Sequence, residues 1–460
     1  MNRMKPKFVL INPWIYDFSA LNLWSRPLGL LKTAEYLSQF DVDLHLIDCT
    51  DGINVKRKYG TGKFSREIVK KPEPLREVPR NYARYGISVD FFTEKFKACL
   101  PCDLILMTSI MSYWYPGVQE AIEIVKKHSP GVPVILGGIY ATLFHKHAIE
   151  NSGADYVFSG HIADNCNASN RSPFGTERFM RDTYSGRSLD AVIRNFGINL
   201  ARKRDTRPYY KLELYTPYPF APLLTSMGCP NRCSYCASSL LFNGFAQRDP
   251  LDVLWEISEL YKAGVKDFAF YDDALLANAD SHLKVILKKI KALKMTVRFH
   301  CPNGIHARFI DDDLALLMKE SGFTTLRLSL ETTNAERQTK TGAKVTSDSL
   351  QSAVGSLKKY GFKKENIGVY LMYGLPGQSL QEVRDSVNFV KSLDVRINLT
   401  EFSPIPKTDC WNDLKNRGII SDDIDPLLTN NSVFSLFFSG YGLERIQGLK
   451  IYVKHHNAQK

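Results

Sequence analysis

The chain has 460 residues, 44% of them hydrophobic, which is enough for two or three domains with buried cores. Its nine cysteines are an odd number and do not suggest a disulfide framework, so we expect a reducing, cytoplasmic location. No run of about 18 apolar residues occurs, and a membrane span is therefore not expected. The net charge of +12 suits an anionic partner, whether a nucleic acid, a membrane surface or an acidic substrate.

In the N-terminal part of the chain, short apolar runs alternate with segments whose apolar residues are spaced as on one face of a helix. Strands and helices are expected in turn at 7–12, 28–40, 43–48, 103–109, 116–128 and 132–136. Such alternation is typical of a doubly wound, Rossmann-like α/β domain, in which the loops gather at the carboxyl ends of parallel strands. We place this domain at residues 1–160.

A basic insert, 53–95, interrupts the N-terminal domain. Within it, residues 56–84 carry ten lysines and arginines against three glutamates. A solvated insert, a substrate lid and an anion-binding face all remain open.

Residues 161–215 are polar, and their apolar residues recur with neither helical nor strand periodicity, so we expect a connector there. Beyond it, strands are predicted at 268–271, 296–300, 325–330, 367–372 and 396–401. Helices are predicted between them at 250–263, 282–293, 312–321, 347–360 and 380–393. Repeated strand-helix units of this length predict a partial (β/α)6 barrel over 216–405, with its chemistry at the carboxyl ends of the strands. A C-terminal region, 406–460, follows, and its tail either packs on the barrel or caps a substrate.

Three cysteines stand close together at the start of the predicted barrel. Cys229, Cys233 and Cys236 are spaced C-x3-C-x2-C. Three thiolates cannot complete the four-thiolate shell of an ordinary iron–sulfur cluster, so one iron would stay open to a ligand. A zinc site completed by a distant Cys or His is the alternative, but no second pair follows at zinc spacing.

This stretch, with Tyr235 immediately before the last cysteine, resembles the signature of the radical S-adenosylmethionine (SAM) superfamily. The resemblance implies that the three thiolates hold a four-iron four-sulfur (4Fe-4S) cluster and that SAM chelates the fourth iron. Electron transfer would then cleave SAM to a 5′-deoxyadenosyl radical. An electron donor such as flavodoxin or ferredoxin is implied as a partner.

The same resemblance implies SAM contacts near the cysteines and at the strand ends. The residues concerned are Tyr235, Asp272, Asp273, Asn303, Ser329, Glu331 and Gly374. Asp272 and Asp273 stand where the family has a Gly-Gly-Glu motif. Ser329 and Glu331 project to one side of a predicted strand, and Gly374 lacks a side chain that would block a close approach.

Residues 134–142 and 153–160 resemble the closing half of the cobalamin-binding domain that precedes the radical SAM domain in many family members. The implied cobalamin contacts are Ser109, Tyr113, Trp114, Tyr115, Gly137, Gly138 and Gly160. The Asp-x-His-x-x-Gly signature is missing, because His45 lies in a predicted strand without the glycine, so no histidine ligand to cobalt is expected. The three aromatic residues either cover the lower corrin face or form a packing cluster. A cofactor-free Rossmann-like relic or an interaction domain is the alternative.

The resemblance covers residues 7–405 and implies a cobalamin-dependent radical SAM enzyme. We expect methyl transfer to an unactivated carbon of a small-molecule or peptide substrate. Ring formation or rearrangement without methylation remains open, because the same cofactors serve both reactions. An RNA-modifying enzyme would need a further cysteine cluster and an RNA-binding domain, neither of which is visible, so nucleic acid is not an expected partner. A non-catalytic cobalamin sensor would cleave no SAM.

Overall fold

The computed structural model describes residues 5–164, 178–203, 212–215, 219–242 and 244–459, without the side chains of 161–181 and of Leu212. The chain divides into two compact units, unit 1 (Met1–Tyr218) and unit 2 (Pro219–Lys460). Every helix in the described ranges is too short or too polar to cross a membrane.

Unit 1 alternates strands and helices over most of its length. Its strands are β1 (Lys7–Asn12), β2 (Ile15–Asp17), β3 (Leu21–Asn22), β4 (Asp43–Asp48), β5 (Ile53–Lys56), β6 (Gly62–Phe64), β7 (Arg66–Ile68), β8 (Ala83–Tyr85), β9 (Leu104–Met107), β10 (Val134–Leu136), β11 (Tyr156–Val157), β12 (Gly160–Asp164) and β13 (Arg178–Asp182). Its helices are α1 (Leu28–Leu37), α2 (Val89–Ala98), α3 (Tyr115–His128), α4 (Ile139–Leu143), α5 (His145–Asn151) and α6 (Leu189–Asn195).

The central sheet of unit 1 is parallel, in the order β11-β10-β9-β1-β4. Strands β1, β9 and β10 are apolar runs that are buried along almost their whole length, as expected for a sheet covered on both faces. The strand order reverses between β1 and β9. In doubly wound sheets the loops that follow such a pair diverge and leave a ligand-binding crevice. The predicted Rossmann-like architecture is confirmed.

The basic insert is folded. It contributes to two small antiparallel sheets, in the orders β3-β6-β5 and β2-β8-β7.

The predicted connector, 161–215, is a component of unit 1 in its described part. In α6, Leu189, Val192 and Ile193 are buried in one core cluster with Phe8 of β1. The hydroxyl of Tyr215 donates to Asp48 Oδ2 at 2.6 Å. The described part of this segment therefore packs on the core of unit 1, and its role as the connector stays a prediction.

Unit 2 contains the longer strand-helix repeats. Its strands are β14 (Ala221–Leu223), β15 (Ser226–Met227), β16 (Ala246–Gln247), β17 (Asp267–Phe270), β18 (Arg298–His300), β19 (Ile305–His306), β20 (Phe323–Glu331), β21 (Ile367–Tyr373) and β22 (Arg396–Glu401). Its helices are α7 (Ser238–Leu241), α8 (Pro250–Lys262), α9 (Leu283–Ala292), α10 (Asp312–Glu320), α11 (Ala335–Lys340), α12 (Ser347–Lys359), α13 (Leu380–Ser392), α14 (Asp409–Asn416), α15 (Asn431–Phe438) and α16 (Leu443–Ala458).

The sheet of unit 2 is parallel, in the order β14-β17-β18-β20-β21-β22, and the predicted partial (β/α)6 barrel is confirmed. Side-chain caps fix where its helices start: Asp249 caps α8, Asp311 caps α10, Thr346 caps α12 and Ser379 caps α13. The first strand, β14, is three residues long, too short for its pattern to be recognised in the sequence. The carboxyl ends of these strands carry the candidate site.

Candidate functional site

The cysteine loop lies between β15 and α7, and none of its three thiols is in a disulfide. Both the main-chain N and Nδ2 of Asn231 lie 3.5 Å from Cys229 Sγ, and the main-chain N of Ser238 lies 3.4 Å from Cys236 Sγ. N–H groups aimed at sulfur favour the thiolate form that binds iron.

The described residues contain no group of three His, Cys, Asp or Glu side chains that would hold a single metal ion. A cuboidal four-iron cluster is wider than one ion and spaces its thiolates farther apart. A 4Fe-4S cluster at this loop rests on the spacing of Cys229, Cys233 and Cys236 in the sequence.

A glycine allows a second loop to cover the cysteines. Gly342 has a φ of +114°, and a Cβ added there would lie 3.2 Å from Cys233 Cα and 3.4 Å from its Sγ. This loop carries Lys344, whose Nζ lies 2.8 Å from Glu331 Oε1 at the end of β20. Both side chains are nearly buried, with 13% of Lys344 and 11% of Glu331 exposed. Sequence reasoning missed Lys344.

The Lys344–Glu331 pair places a fixed positive charge beside the cysteines. Burial opposes the charge of Lys344, but the Glu331 carboxylate together with Cys233 and Cys236 outweighs burial and raises the pKa of the lysine above its ordinary value. The Lys344 ammonium also lies 5.6 Å from the ring centroid of Tyr235. The buried Tyr235 hydroxyl has no hydrogen-bond partner among the described residues, so it is available to a ligand.

Asp272 and Asp273 follow β17 and differ in their surroundings. Asp272 Oδ1 accepts four hydrogen bonds of 2.6–2.9 Å, from the main-chain N and the hydroxyl of Thr225 and of Ser226. Its other oxygen, Oδ2, is buried without a partner in the described part of the chain, and burial raises the pKa of Asp272 to about 6. Asp273 accepts from Ser238 Oγ at 2.6 Å, which links it to the cysteine loop.

Two further predicted residues lie at the ends of neighbouring strands. Asn303 donates to the Tyr271 carbonyl at 2.9 Å, at the end of β17. A Cβ added at Gly304 would lie 2.1 Å from Ser329 Oγ, so the loop that carries Asn303 packs directly on the Ser329 hydroxyl.

Gly374 is needed for packing. Its φ is +86°, and an added Cβ would lie 2.8 Å from Ser435 Oγ in α15. The close approach at this glycine is therefore made by the protein's own C-terminal region.

Two histidines near the predicted site differ in position and in hydrogen-bond partners. His306 Nδ1 lies 3.3 Å from Asn231 Nδ2 in the cysteine loop, and burial lowers the pKa of His306 to about 4, so the ring is neutral at pH 7. His300 lies 3.0 Å from Asp267 Oδ1 and 3.0 Å from Thr325 Oγ1, below the strand ends. His306 thus belongs to the surroundings of the cysteine loop, whereas His300 is a structural hydrogen-bonding residue.

In unit 1, the loops after β9 and β10 meet beside the crevice. Ile139 N donates to the Ser109 carbonyl at 2.9 Å. Gly138 has a φ of +90°, and a Cβ added there would lie 2.6 Å from Thr108 Oγ1. A Cβ on the neighbouring Gly137 would meet only the Phe158 carbonyl, at 3.7 Å, so its main chain is open to approach.

Packing explains the glycine at position 160, since a Cβ added there would overlap the Phe158 ring.

The three aromatic residues after β9 are engaged inside unit 1. Trp114 Nε1 donates to Asp17 Oδ2 at 2.8 Å, and the buried Tyr113 ring lies edge-on to Trp114 at 6.2 Å. Tyr115 stacks on Tyr140 at 5.7 Å. These contacts make a packing cluster, and a role against a corrin stays a prediction.

A family model described as the radical SAM superfamily matches residues 223–390. Residues 223–390 form a radical SAM domain. A radical SAM domain implies a 4Fe-4S cluster and SAM as its cofactors, and the cysteine loop lies within the matched range.

Two curated relatives with methyltransferase names align with this chain. An uncharacterized methyltransferase of Pyrococcus horikoshii is 28% identical over 196 residues, which are 42% of this chain and 41% of that protein. The cytidylyl-2-hydroxyethylphosphonate methyltransferase of Streptomyces wedmorensis is 22% identical over 437 residues, 85% of this chain and 78% of that protein. The chain thus spans about two fifths of the first relative and most of the second.

Solved structures share the fold. The radical SAM methyltransferase TsrM from Kitasatospora setae, with cobalamin and a 4Fe-4S cluster bound, has a TM-score of 0.61 and 16% identity over 90% of this chain and 78% of that chain. OxsB, a cobalamin-dependent SAM radical enzyme, has a TM-score of 0.50 and 11% identity over 99% of this chain and 62% of that chain. At these identities the likeness concerns the fold alone.

Proposed function

We propose that this chain is a cobalamin-dependent radical SAM enzyme that transfers a methyl group to an unactivated carbon. The observation that carries the proposal is the presence, in one chain, of a radical SAM domain with its three-cysteine loop and a doubly wound sheet whose strand order reverses between β1 and β9. The alignment with a named methyltransferase over 85% of the chain supports methyl transfer.

When bound, the cluster and SAM would supply a hydrogen-abstracting radical, and cobalamin would supply the methyl group. The chain's own part is to hold and orient these groups. Cys229, Cys233 and Cys236 hold the cluster, while the N–H groups of Asn231 and Ser238 stabilise its thiolates.

The groups proposed to bind SAM are polar and only partly satisfied. The Lys344 ammonium and the Glu331 carboxylate match the carboxylate and the amino group of SAM in charge. The unpartnered Tyr235 hydroxyl and Asp272 Oδ2 offer a further donor and acceptor. A ligand rich in amino, carboxylate and hydroxyl groups would satisfy them.

The proposed cobalamin site lies at the ends of β9 and β10. There the main chain of Ser109, Gly137 and Gly138 borders the crevice. His45 lies within β4 and contacts Asp43 at 2.8 Å, so we propose that cobalt has no histidine ligand.

The decisive experiment is turnover with methyl-labelled SAM, a reductant and substrate fractions from a cell extract. We expect S-adenosylhomocysteine and 5′-deoxyadenosine to form together, with label in a product, and none of these from the Cys229→Ala variant. Formation of 5′-deoxyadenosine in step with substrate loss, but without labelled product, would replace methyl transfer by ring formation or rearrangement.

A further inference from the structure

The basic insert carries a group of positive charges without carboxylate partners. The six exposed cations of this surface, which we call the insert surface, are Lys56, Arg57, Lys58, Lys63, Arg66 and Lys70. In the described part of the chain none of the six has an ion pair.

The acidic residues of the insert are engaged elsewhere. Glu73 and Glu77 both pair with Arg76, and Glu67 pairs with Arg84. Arg84 also bonds Glu120 of α3 at 2.6 Å, so Glu67 belongs to a cluster of one cation and two carboxylates that leaves no cation over. The excess positive charge therefore stays on the insert surface.

The same surface exposes strand edges and aliphatic side chains. Strand β5 is the outer strand of one small sheet and β7 is the outer strand of the other. Val55 on β5 is 51% exposed and Ile68 on β7 is 60% exposed. An outer strand leaves main-chain N–H and C=O groups open to a further strand, unless charges or covering segments block it.

We propose that the insert surface binds an acidic, extended polypeptide segment that adds as a strand to β5. Lys56, Arg57 and Lys58 lie at the carboxyl end of β5, where carboxylates of an added strand would face cations, and Lys63, the register partner of Val55 on β6, adds a positive charge on the face of Val55. Val55 would supply the aliphatic contact between them.

A polypeptide suits this surface better than a nucleic acid or a membrane. Single-stranded nucleic acids stack their bases on aromatic side chains, but the exposed large hydrophobic side chains here, Val55 and Ile68, are aliphatic. Anionic lipids would use the charges and leave the main-chain edge unused. Only an extended peptide uses the charges, the aliphatic side chain and the strand edge together.

The test uses the full chain and a fluorescein-labelled peptide of about ten residues in which Glu and Val alternate. Fluorescence anisotropy should show saturable binding that weakens with added salt. The variant K56E/R57E/K63E should bind about tenfold more weakly or worse. The matched variant K288E/K289E/K294E, altered at exposed positions on α9 and just after it and with the same change in net charge, should change affinity less than about twofold.

A second peptide tests strand addition directly. Replacing every Val by Pro keeps the carboxylates but removes the main-chain N–H of every second residue and breaks the regular strand, and binding should be lost. The single variant Val55→Asp, at an exposed position, should weaken binding without unfolding, which circular dichroism checks.

Three outcomes overturn the proposal: equal losses in the two triple variants, undiminished binding of the proline peptide, or tighter binding of a single-stranded RNA or phosphatidylserine vesicles to the same residues.

Discussion

The side-chain amide of Asn457 satisfies both outward main-chain groups of Ile397. Ile397 N donates to Asn457 Oδ1 at 2.8 Å, and Asn457 Nδ2 donates to the Ile397 carbonyl at 2.7 Å. One residue earlier in α16, His456 Nε2 donates to the Val395 carbonyl at 2.7 Å. Because β22 is the last strand of an open barrel, its outer edge pairs with no other strand in the described ranges. Helix α16 supplies the missing partners and blocks pairing with another chain.

Replacing Asn457 by Leu should therefore destabilise the barrel. The change leaves an N–H and a C=O of Ile397 without partners beneath α16, at a cost of about 1–3 kcal/mol. Guanidinium unfolding of the two proteins measures the difference. The control is Asn416→Leu, at an exposed position in the last turn of α14, which should change stability by less than about 0.5 kcal/mol. Equal stabilities of the Asn457 variant and the parent would contradict the role of this amide.

The Lys344–Glu331 pair gives a second prediction. Lys344→Met leaves the Glu331 carboxylate nearly buried without its cation, which typically costs several kcal/mol, on the order of 3. The double variant K344M/E331Q removes the stranded charge and should regain part of that stability. In the reconstituted enzyme, SAM affinity measured by equilibrium dialysis should fall at least about tenfold in both variants and less in Lys344→Arg. Unchanged SAM binding in Lys344→Met would remove this lysine from the proposed SAM site.

The parts of the fold that the sequence predicted are those fixed by local patterns. Helices with a clear apolar stripe and a capping side chain were found within a few residues, and Cys229, Cys233 and Cys236 share one short loop. Residues brought together by tertiary packing were missed. Lys344 reaches the cysteine loop only because Gly342 allows its loop to pack on Cys233. His306 lies there only because β19 pairs with β20, where its register partner is Ser329.

The glycine at 374 illustrates the same limit and gives a third prediction. Sequence reasoning expected a ligand near it, yet the atom that an added Cβ would meet is Ser435 Oγ at 2.8 Å. Gly374→Ala combines this contact with a φ of +86° and should cost about 1–3 kcal/mol of unfolding free energy. Gly448→Ala is the control: it lies inside α16 with open space around its Cα and should stabilise the protein by about 0.5–1 kcal/mol. If both substitutions behave alike, the contact with α15 is not what requires glycine at 374.

The last prediction concerns the dependence of stability on pH. Burial raises the pKa of Asp272 from its ordinary 3.8 to about 6, although four hydrogen bonds to Oδ1 oppose the shift. A carboxyl group whose pKa is raised in the folded state contributes stability that is complete below about pH 4 and is lost as the pH rises through about 6. Asp272→Asn keeps the Oδ1 acceptor and cannot ionise. Between pH 4 and pH 7 the unfolding free energy of the parent should therefore fall relative to that of Asp272→Asn, by about 2–3 kcal/mol.

The measurement is guanidinium unfolding across this pH range, with protein prepared without iron so that loss of a cluster does not contribute. The exposed Asp348→Asn serves as the control and should follow the parent at every pH. Parallel curves for the parent and Asp272→Asn would mean that Asp272 ionises in the folded protein as easily as in the unfolded chain. Its Oδ2 would then be solvated already, and we would no longer propose that this oxygen accepts a hydrogen bond from SAM.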